Sequence, residues 1–264
     1  MQQHVLGQAV AGKTVEREQI DLPVLRRFDP LALSGLGRDR AYYHFFKRML
    51  DVSVAALALV ILSPVMAVIA LVIILDSGWP VIFAQERVGA RRWTRESYSY
   101  WRRTTFTCYK FRSMVQDADP SMHKVFTKAF IHNDHQSMAA LQGDDIKVRK
   151  LKSDPRVTRL GWILRRSSLD ELPQLWNVLK GDMSLVGPRP PIAYEVDEYK
   201  SWHHRRLGAK PGLTGLWQVT ARSSADFDEA VRLDIQYIEN QSFWLDLKIL
   251  LRTPLAVFSG KGAV

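Results

Sequence analysis

Cysteine is almost absent from this sequence, since Cys108 is the single one among 264 residues. One cysteine cannot form an intrachain disulfide, which excludes the small disulfide-stabilised folds. An oxidising compartment is therefore not implied, and a cytosolic location is compatible with the sequence. A chain of this length, with 47% hydrophobic residues, can bury a core without cross-links. We therefore expect one or two ordinary globular domains.

Acidic residues are scarce relative to basic ones, with 27 Asp and Glu against 37 Lys and Arg and a formal net charge of +10. A charge of this size implies an anionic partner, which composition alone leaves as nucleic acid, phospholipid headgroups or a phosphorylated small molecule. The sequence contains no recognised nucleic-acid-binding module. Together with the apolar segment described next, this argues against nucleic acid.

Charge is missing altogether from residues 52–75, VSVAALALVILSPVMAVIALVIIL. These roughly 24 residues exceed the ~18 typical of a membrane helix and would form a helix of about 36 Å. Buried helices of soluble proteins rarely run this long without a polar side chain, so we expect a membrane-embedded segment.

The topology of this segment depends on its centre and its flanks. Pro64 predicts a kink because it removes a backbone hydrogen bond, and Ser63 can bond the carbonyl that the proline frees. Both flanks are basic, which pulls both ends to the cytoplasmic side of a membrane. These flanking residues are Arg38, Arg40, Lys47 and Arg48 on one side and Arg87, Arg91, Arg92, Arg95, Arg102 and Arg103 on the other. We therefore predict a re-entrant helix hairpin broken at Ser63-Pro64, with a straight span or a buried core helix as alternatives.

The remaining chain predicts a small mixed α/β unit. Short aromatic and β-branched runs at 81–83 and 106–111 indicate strands, and the basic aromatic stretch between them indicates a surface loop or hairpin. Apolar spacing predicts an amphipathic helix from Val157 to about Arg166 and further helices over 169–179, 226–240 and 243–258.

The two ends of the chain differ in character. Residues 1–40 have little periodicity and predict a mobile N-terminal arm. The helix predicted over 243–258 is strongly apolar yet carries charged side chains, a pattern that favours a helix lying in a membrane interface.

A histidine pair, His132 and His135, lies in the polar segment 115–150. Without a cysteine or a third ligand at a defined spacing, this pair does not predict a zinc site.

The densest chemical signal lies at 167–191, SSLDELPQLWNVLKGDMSLVGPRPP. Asp170 and Glu171 are adjacent carboxylates at a predicted helix start, and Ser168 with Glu171 matches a capping box. The simplest interpretation is therefore two first-turn acids that complement the helix dipole.

The basic residues around these acids favour a second interpretation. Arg165, Arg166 and Arg189 are close in sequence, and Lys110 and Arg112 belong to KFRSM. Prolines fix the backbone beside Arg189, and rigid arginines suit bidentate contacts with phosphate. Carboxylates among arginines can hold Mg²⁺ on a phosphate substrate, and a carboxylate can itself attack phosphorus.

The order of several motifs resembles the bacterial sugar transferases known as monotopic polyprenyl-phosphate phosphoglycosyl transferases, in their short form. The matching pieces are KRMLD (47–51), LSP (62–64), QERVG (85–89), YKFRSM (109–114), DPRVTRLG (154–161), SLDELPQLWNVLKGDMSLVGPRP (168–190) and KPGLTGLWQV (210–219). The sequence departs from the family between QERVG and KFRSM, where WTRESYSYWRR lengthens the spacing.

The resemblance implies transfer of a hexose-1-phosphate from a UDP-sugar to polyprenyl (undecaprenyl) phosphate, with release of UMP, as the first membrane step of exopolysaccharide or glycan synthesis. It implies that Asp170 is the nucleophile of a covalent phospho-sugar intermediate, and that Glu171, with Asp170, binds Mg²⁺. The implied phosphate ligands are Lys110, Arg112, Arg165 and Arg189. The implied further substrate contacts are Gln85, Arg87, Gln174, Asn177 and Pro188.

The resemblance also completes the expected organisation. We expect an arm at 1–40, a re-entrant membrane region at 41–80, and a cytoplasmic α/β catalytic domain with interfacial helices at 81–264. The expected location is the cytoplasmic face of a bacterial inner membrane, with membrane lipid, self-association and downstream glycosyltransferases as further partners. A non-catalytic membrane-anchored scaffold is the alternative, and a glycosyltransferase that moves the sugar without its phosphate is the nearest enzymatic rival.

Overall fold

A computed structural model describes residues 40–95, 98–142, 154–221 and 225–258. Apart from Arg40, the arm predicted at 1–40 lies outside these residues. The described part confirms a mixed α/β fold, in which many short helices surround two small two-stranded sheets.

The apolar segment forms one long helix, α1 (Ala41–Ser77), which continues through Ser63 and Pro64. The predicted contact of Ser63 is confirmed, because its Oγ donates to the Val60 carbonyl at 2.8 Å. This is the carbonyl that a residue other than proline at position 64 would bond through its N–H. Within the described residues, α1 is the one helix long and apolar enough to cross a membrane.

One face of α1 packs along the folded domain and the other is exposed. Ala55, Ile69 and Ile73 are buried in contact with the protein core, whereas Val60, Ile61 and Val68 are at least 60% exposed. Buried positions four residues apart lie on one side of a helix. The exposed side is therefore a continuous apolar surface.

Both ends of α1 are bonded to the same domain. Near its start, the Arg48 guanidinium donates to the Val178 and Leu179 carbonyls at 2.6 and 2.7 Å. At its end, Arg112 Nη2 donates to the Ser77 and Gly78 carbonyls at 2.7 and 2.5 Å. The helix is thus bonded to the domain near its start and at its end, and no break of the helix is seen at Ser63-Pro64.

Two strands of 14 residues, β1 (Ile82–Arg95) and β2 (Tyr98–Phe111), form one long antiparallel hairpin. The short strands predicted at 81–83 and 106–111 are only its base, because the basic stretch between them is strand rather than loop. The hairpin alternative for that stretch is confirmed.

The polar segment after the hairpin carries α2 (Ser121–Ile131) and α3 (His135–Gln142). Next come α4 (Arg159–Ser167), a 3₁₀ turn (Leu169–Glu171) and α5 (Gln174–Lys180), which ends at Gly181 with φ +86°. The single helix predicted over 169–179 is thus two elements.

The remaining elements complete the domain. They are β3 (Ser184–Val186), α6 (Ala193–Asp197), a 3₁₀ helix (Ser201–Leu207), β4 (Gly212–Thr214), α7 (Leu216–Thr220), α8 (Phe227–Glu239) and α9 (Phe243–Phe258). The helices predicted over 226–240 and 243–258 are confirmed as α8 and α9. Strands β3 and β4 pair in parallel.

Candidate active site

The paired acids lie in a cavity of about 1610 Å³ between the hairpin base, α2, α4 and the loop after β3. Eight of the residues singled out from the sequence line this cavity together: Gln85, Arg87, Lys110, Arg112, Arg165, Asp170, Glu171 and Arg189. The fold therefore brings together side chains that are up to about a hundred residues apart in the chain.

Asp170 and Glu171 occupy the 3₁₀ turn, not the first turn of a helix. The capping box predicted from Ser168 is wrong, because Ser168 has φ +58° as the C-cap of α4 and makes no side-chain capping bond. The side chain of Glu171 reaches across to β2, where its Oε1 lies 2.6 Å from Lys110 Nζ. Helix α5 begins only after Pro173.

Asp170 is buried, with 7% of its surface exposed. Burial lowers the pKa of the Arg165 guanidinium, and the negative charge of Asp170 opposes that shift. Asp170 and Arg165 therefore interact electrostatically. Arg165 Nε also donates to Ser113 Oγ at 2.9 Å. Asp170 thus lies near an arginine that Ser113 holds in place.

Helix α4 carries Arg165 into place through a close backbone contact. A Cβ atom at Gly161 would lie 2.0 Å from the Ser113 carbonyl oxygen, so only glycine allows the helix to approach this strand end. Thr158 caps α4 by accepting from the Gly161 N–H at 2.9 Å. The DPRVTRLG motif thereby fixes the position of Arg165.

Arg189 is presented by a loop that other parts of the site hold. Arg87 Nη1 donates to the Pro190 carbonyl at 3.1 Å, and Arg87 Nη2 donates to Gln85 Oε1 at 2.6 Å. Gly212 N donates to the Pro188 carbonyl at 2.8 Å. Within the described residues, the Arg189 guanidinium forms no hydrogen bond or ion pair, and it is therefore available to an anion.

Two of the other cations have unused donors. Arg112 Nε and Nη1 and Arg87 Nε are buried without a hydrogen-bond partner among the described residues. Burial lowers the pKa of Arg87, and the charge of Arg189 lowers it further. Buried donors and crowded positive charges favour a bound anion, which would satisfy both.

Three residues named from the sequence do not line the cavity: Gln174, Asn177 and Pro188. Gln174 and Asn177 are buried. Asn177 joins α5 to β2, since its Nδ2 donates to the Thr107 carbonyl at 2.7 Å and its Oδ1 accepts from Tyr109 N at 3.1 Å. Its visible contacts hold the strand that carries Lys110.

Sequence reasoning did not single out three further residues of the cavity wall, His123, Tyr194 and Arg156. His123 Nδ1 lies 2.6 Å from the Tyr194 hydroxyl, and Arg156 pairs with Asp154 at 2.7 Å. Burial lowers the pKa of His123 to about 4, so this imidazole is neutral at pH 7. No motif marks His123 or Tyr194, whereas Arg156 belongs to the quoted DPRVTRLG piece.

The donor set of the acids fits Mg²⁺, which in proteins takes one or two carboxylates and completes its shell with water and phosphate. Asp170 and Glu171 supply two adjacent carboxylates at the cavity. Within the described part of the chain, no group of three or more His, Cys, Asp or Glu side chains is placed to hold a metal. The residues present thus fit such an ion, and Asp170 and Glu171 are the side chains that would hold it.

Comparison with known proteins matches residues 42–260 to the family model described as bacterial sugar transferase. A galactosyl transferase, CpsE, of Streptococcus agalactiae is 43% identical over 84% of this chain and 44% of its own length. An undecaprenyl-phosphate galactose phosphotransferase of Salmonella typhimurium is 41% identical over 83% and 42%, respectively. The exopolysaccharide production protein ExoY of Sinorhizobium fredii is 36% identical over 82% and 87%.

The chain thus spans less than half the length of the first two relatives and most of the length of the third. The family match covers α1 from its second residue, the hairpin and every residue of the cavity described above. The chain belongs to the bacterial sugar transferase family.

Proposed function

We propose that this protein transfers a hexose-1-phosphate from a UDP-sugar to polyprenyl phosphate and releases UMP. The observation that carries the proposal is the cavity in which a buried Asp170 and Glu171 face Lys110, Arg165 and Arg189. Such a cavity suits a diphosphate, whose negative charges need several cations. The name of the Salmonella relative, an undecaprenyl-phosphate galactose phosphotransferase, supports the same reaction class.

The chemistry proceeds in two displacements at one phosphorus atom. In the first, an Asp170 carboxylate oxygen attacks the phosphorus that carries the sugar, and the bond from that phosphorus to the bridging oxygen breaks. UMP leaves with the bonding electron pair, and a sugar acyl phosphate remains on Asp170. The lysine and arginines of the cavity stabilise the charge on the leaving phosphate.

In the second displacement, an oxygen of the lipid phosphate attacks the same phosphorus. The acyl phosphate bond breaks, which restores the Asp170 carboxylate and yields the polyprenyl diphosphate sugar. Bound at Glu171 and Asp170, Mg²⁺ would supply charge neutralisation to the substrate phosphates. The two-step route lets one site meet a water-soluble donor and a membrane-bound acceptor in turn.

The contacts of α1 support a membrane topology in which both of its ends lie on one side. A helix that crosses a bilayer delivers its ends to opposite faces, about 30 Å apart. Here Arg48 near the start and Ser77 at the end both bond to the catalytic domain. We therefore propose a monotopic protein that enters the cytoplasmic leaflet of a bacterial inner membrane and returns, with the turn near Ser63-Pro64.

A nucleotide assay on the membrane-reconstituted protein tests this function. The protein is incubated with polyprenyl phosphate and a panel of UDP-sugars, and UMP and UDP are separated. The proposal expects UMP from at least one sugar, at a rate that depends on the lipid. Release of UDP would instead indicate a glycosyltransferase that leaves the phosphate behind, and lipid-dependent release of neither would favour a non-catalytic scaffold.

A further inference from the structure

The distal part of the β1–β2 hairpin carries a basic and aromatic face that the proposed reaction does not use. Arg91 stands opposite Arg102 in the strand register, and Trp93 stands opposite Tyr100. Because alternate residues of a strand point to the same side, these four side chains share one face. We call them the hairpin face.

The hairpin face is largely exposed, and it carries two arginines. Arg91, Trp93 and Arg102 are exposed, and Arg102 Cζ lies 5.9 Å from the centroid of the Trp93 ring. No carboxylate of the described residues pairs with either arginine. Like charges placed directly opposite each other destabilise a strand pair, so an external anion bound at this face would stabilise it.

The other face of the hairpin rests on the start of the membrane helix. Trp101, whose side chain points away from the hairpin face, packs edge-on against His44 of α1 with ring centroids 5.7 Å apart. The neighbouring helix residues Tyr42 and Phe45 are 84% and 61% exposed. Exposed aromatic side chains at the end of an apolar helix are typical of the membrane interface.

We propose that the hairpin face docks onto anionic phospholipid headgroups of the membrane that holds α1. The charge complementarity is direct, because two arginines that pair with no described carboxylate would meet a surface of negatively charged phosphate groups. Tryptophan and tyrosine beside arginine suit the headgroup layer, where an apolar ring and a polar edge are both satisfied. A second copy of the same face would bring four arginines together, and it is therefore disfavoured as the occupant.

The proposal assigns a role to the segment in which this sequence departs from its family resemblance, WTRESYSYWRR and the residues just before it. It rests on the proposed membrane insertion of α1, but not on the transfer reaction. If α1 does not insert, the protein fails to float with lipid vesicles. If only the hairpin contact is absent, flotation is retained and the signal described next is lost.

A fluorophore at position 93 tests the contact in the full-length protein. Trp93→Cys introduces an exposed thiol, whereas the native Cys108 is 3% exposed and protected from labelling. The labelled protein is reconstituted in phosphatidylcholine vesicles, or in vesicles with about 30% phosphatidylglycerol, both with a trace of headgroup-spin-labelled lipid. Quenching of the fluorophore by that lipid reports the docked fraction.

Each arginine near an anionic surface should shift the docking equilibrium about fivefold, and the pair roughly 30-fold. We expect stronger quenching in the anionic vesicles, its loss in Arg91→Gln/Arg102→Gln, and its retention in Arg91→Lys/Arg102→Lys. The matched control Lys200→Gln/Arg205→Gln removes two exposed charges from another surface and should leave quenching unchanged. Continued protection of Cys108 from a thiol reagent shows that each variant is folded.

Equal quenching in neutral and anionic vesicles would overturn the proposal, as would quenching that survives Arg91→Gln/Arg102→Gln. The fluorophore could instead become shielded from solvent only when each vesicle holds several protein copies, without quenching by lipid. That result would show that the hairpin face binds a second copy of the chain. That outcome would also overturn it.

Discussion

Gly161→Ala separates two effects that act in opposite directions on α4. By helix propensity alone, alanine in place of glycine stabilises a helix by up to about 1 kcal/mol. In this structure the added Cβ would lie 2.0 Å from the Ser113 carbonyl oxygen and 2.6 Å from its carbonyl carbon. Because Cβ atoms essentially never approach within 3.0 Å, the helix and strand must separate by at least 1.0 Å.

The expected magnitudes follow from that displacement. Overpacking of this kind costs about 1–3 kcal/mol, so the variant should be less stable despite the better helix former. The 2.9 Å bond between Arg165 Nε and Ser113 Oγ is lost, and the guanidinium moves relative to Asp170. A misplacement of about 1 Å at a reacting centre can lower kcat/KM by roughly 100-fold.

The assay combines chemical denaturation with UMP release in the reconstituted protein. Arg166→Ala is the matched control, since it also places alanine in α4 but on an exposed position outside the cavity. It should change both quantities little. A Gly161→Ala variant that is more stable than the wild type and equally active would refute the packing argument for Arg165.

Three further predictions address metal, topology and pH. Glu171→Gln should raise the Mg²⁺ concentration for half-maximal activity about tenfold or more, because a charged ligand is lost; an unchanged titration would remove Glu171 from the metal. Single cysteines at Tyr42 and Trp79, in a Cys108→Ala background, should react with an impermeant thiol reagent from the same side of the membrane; opposite sides would establish a straight span. The pKa of His123 is about 4 in the fold and about 6.5 when unfolded, so the unfolded chain binds more protons between these values. Stability should therefore fall as pH drops from about 6.5 towards 4, and His123→Phe should reduce that slope; a denaturation series in which the slope is the same in both proteins would contradict the assignment.

The sequence predicted the elements whose signals are local. The 24 uncharged residues at 52–75 indicate α1, because a long apolar run by itself predicts such a helix. Ser63 donates to the Val60 carbonyl, which the proline at position 64 leaves without its usual backbone donor. Helical spacing located α4, α8 and α9 within a few residues. The predicted acids and phosphate-binding cations line one cavity, and they belong to motifs that the family resemblance aligned.

What the sequence did not predict depends on long-range contacts. The strands of the hairpin extend to Arg95 and Tyr98 because each pairs with the other along its whole length, which compensates for a basic composition unusual in strands. The predicted capping box does not form, because Ser168 is instead the residue that ends α4. The Glu171 side chain also turns away from Ser168 and pairs with Lys110 of β2. Local preference was overridden by tertiary structure in both cases.

Long-range contacts also explain why the sequence predicted only part of what Arg112 and Asn177 do. Arg112 combines a position in the cavity wall with a structural role, since one nitrogen caps the carboxyl end of α1 while two others have no partner among the described residues. Asn177 carries the amide expected of a substrate ligand, but its contacts are with the backbone of β2. Only the packed structure distinguishes an amide that binds a strand from one that faces a ligand.

The central claim is that Asp170 carries the sugar phosphate between the two substrates. The most direct measurement incubates the protein with a UDP-sugar labelled in the sugar, in the absence of polyprenyl phosphate, followed by rapid quenching and mass analysis of the peptide that contains Asp170. We predict a mass increase of one hexose phosphate on that peptide, its disappearance when polyprenyl phosphate is added, and its absence in Asp170→Asn. Lipid-dependent UMP release from Asp170→Asn at the wild-type rate, with no labelled peptide in either protein, would contradict the account.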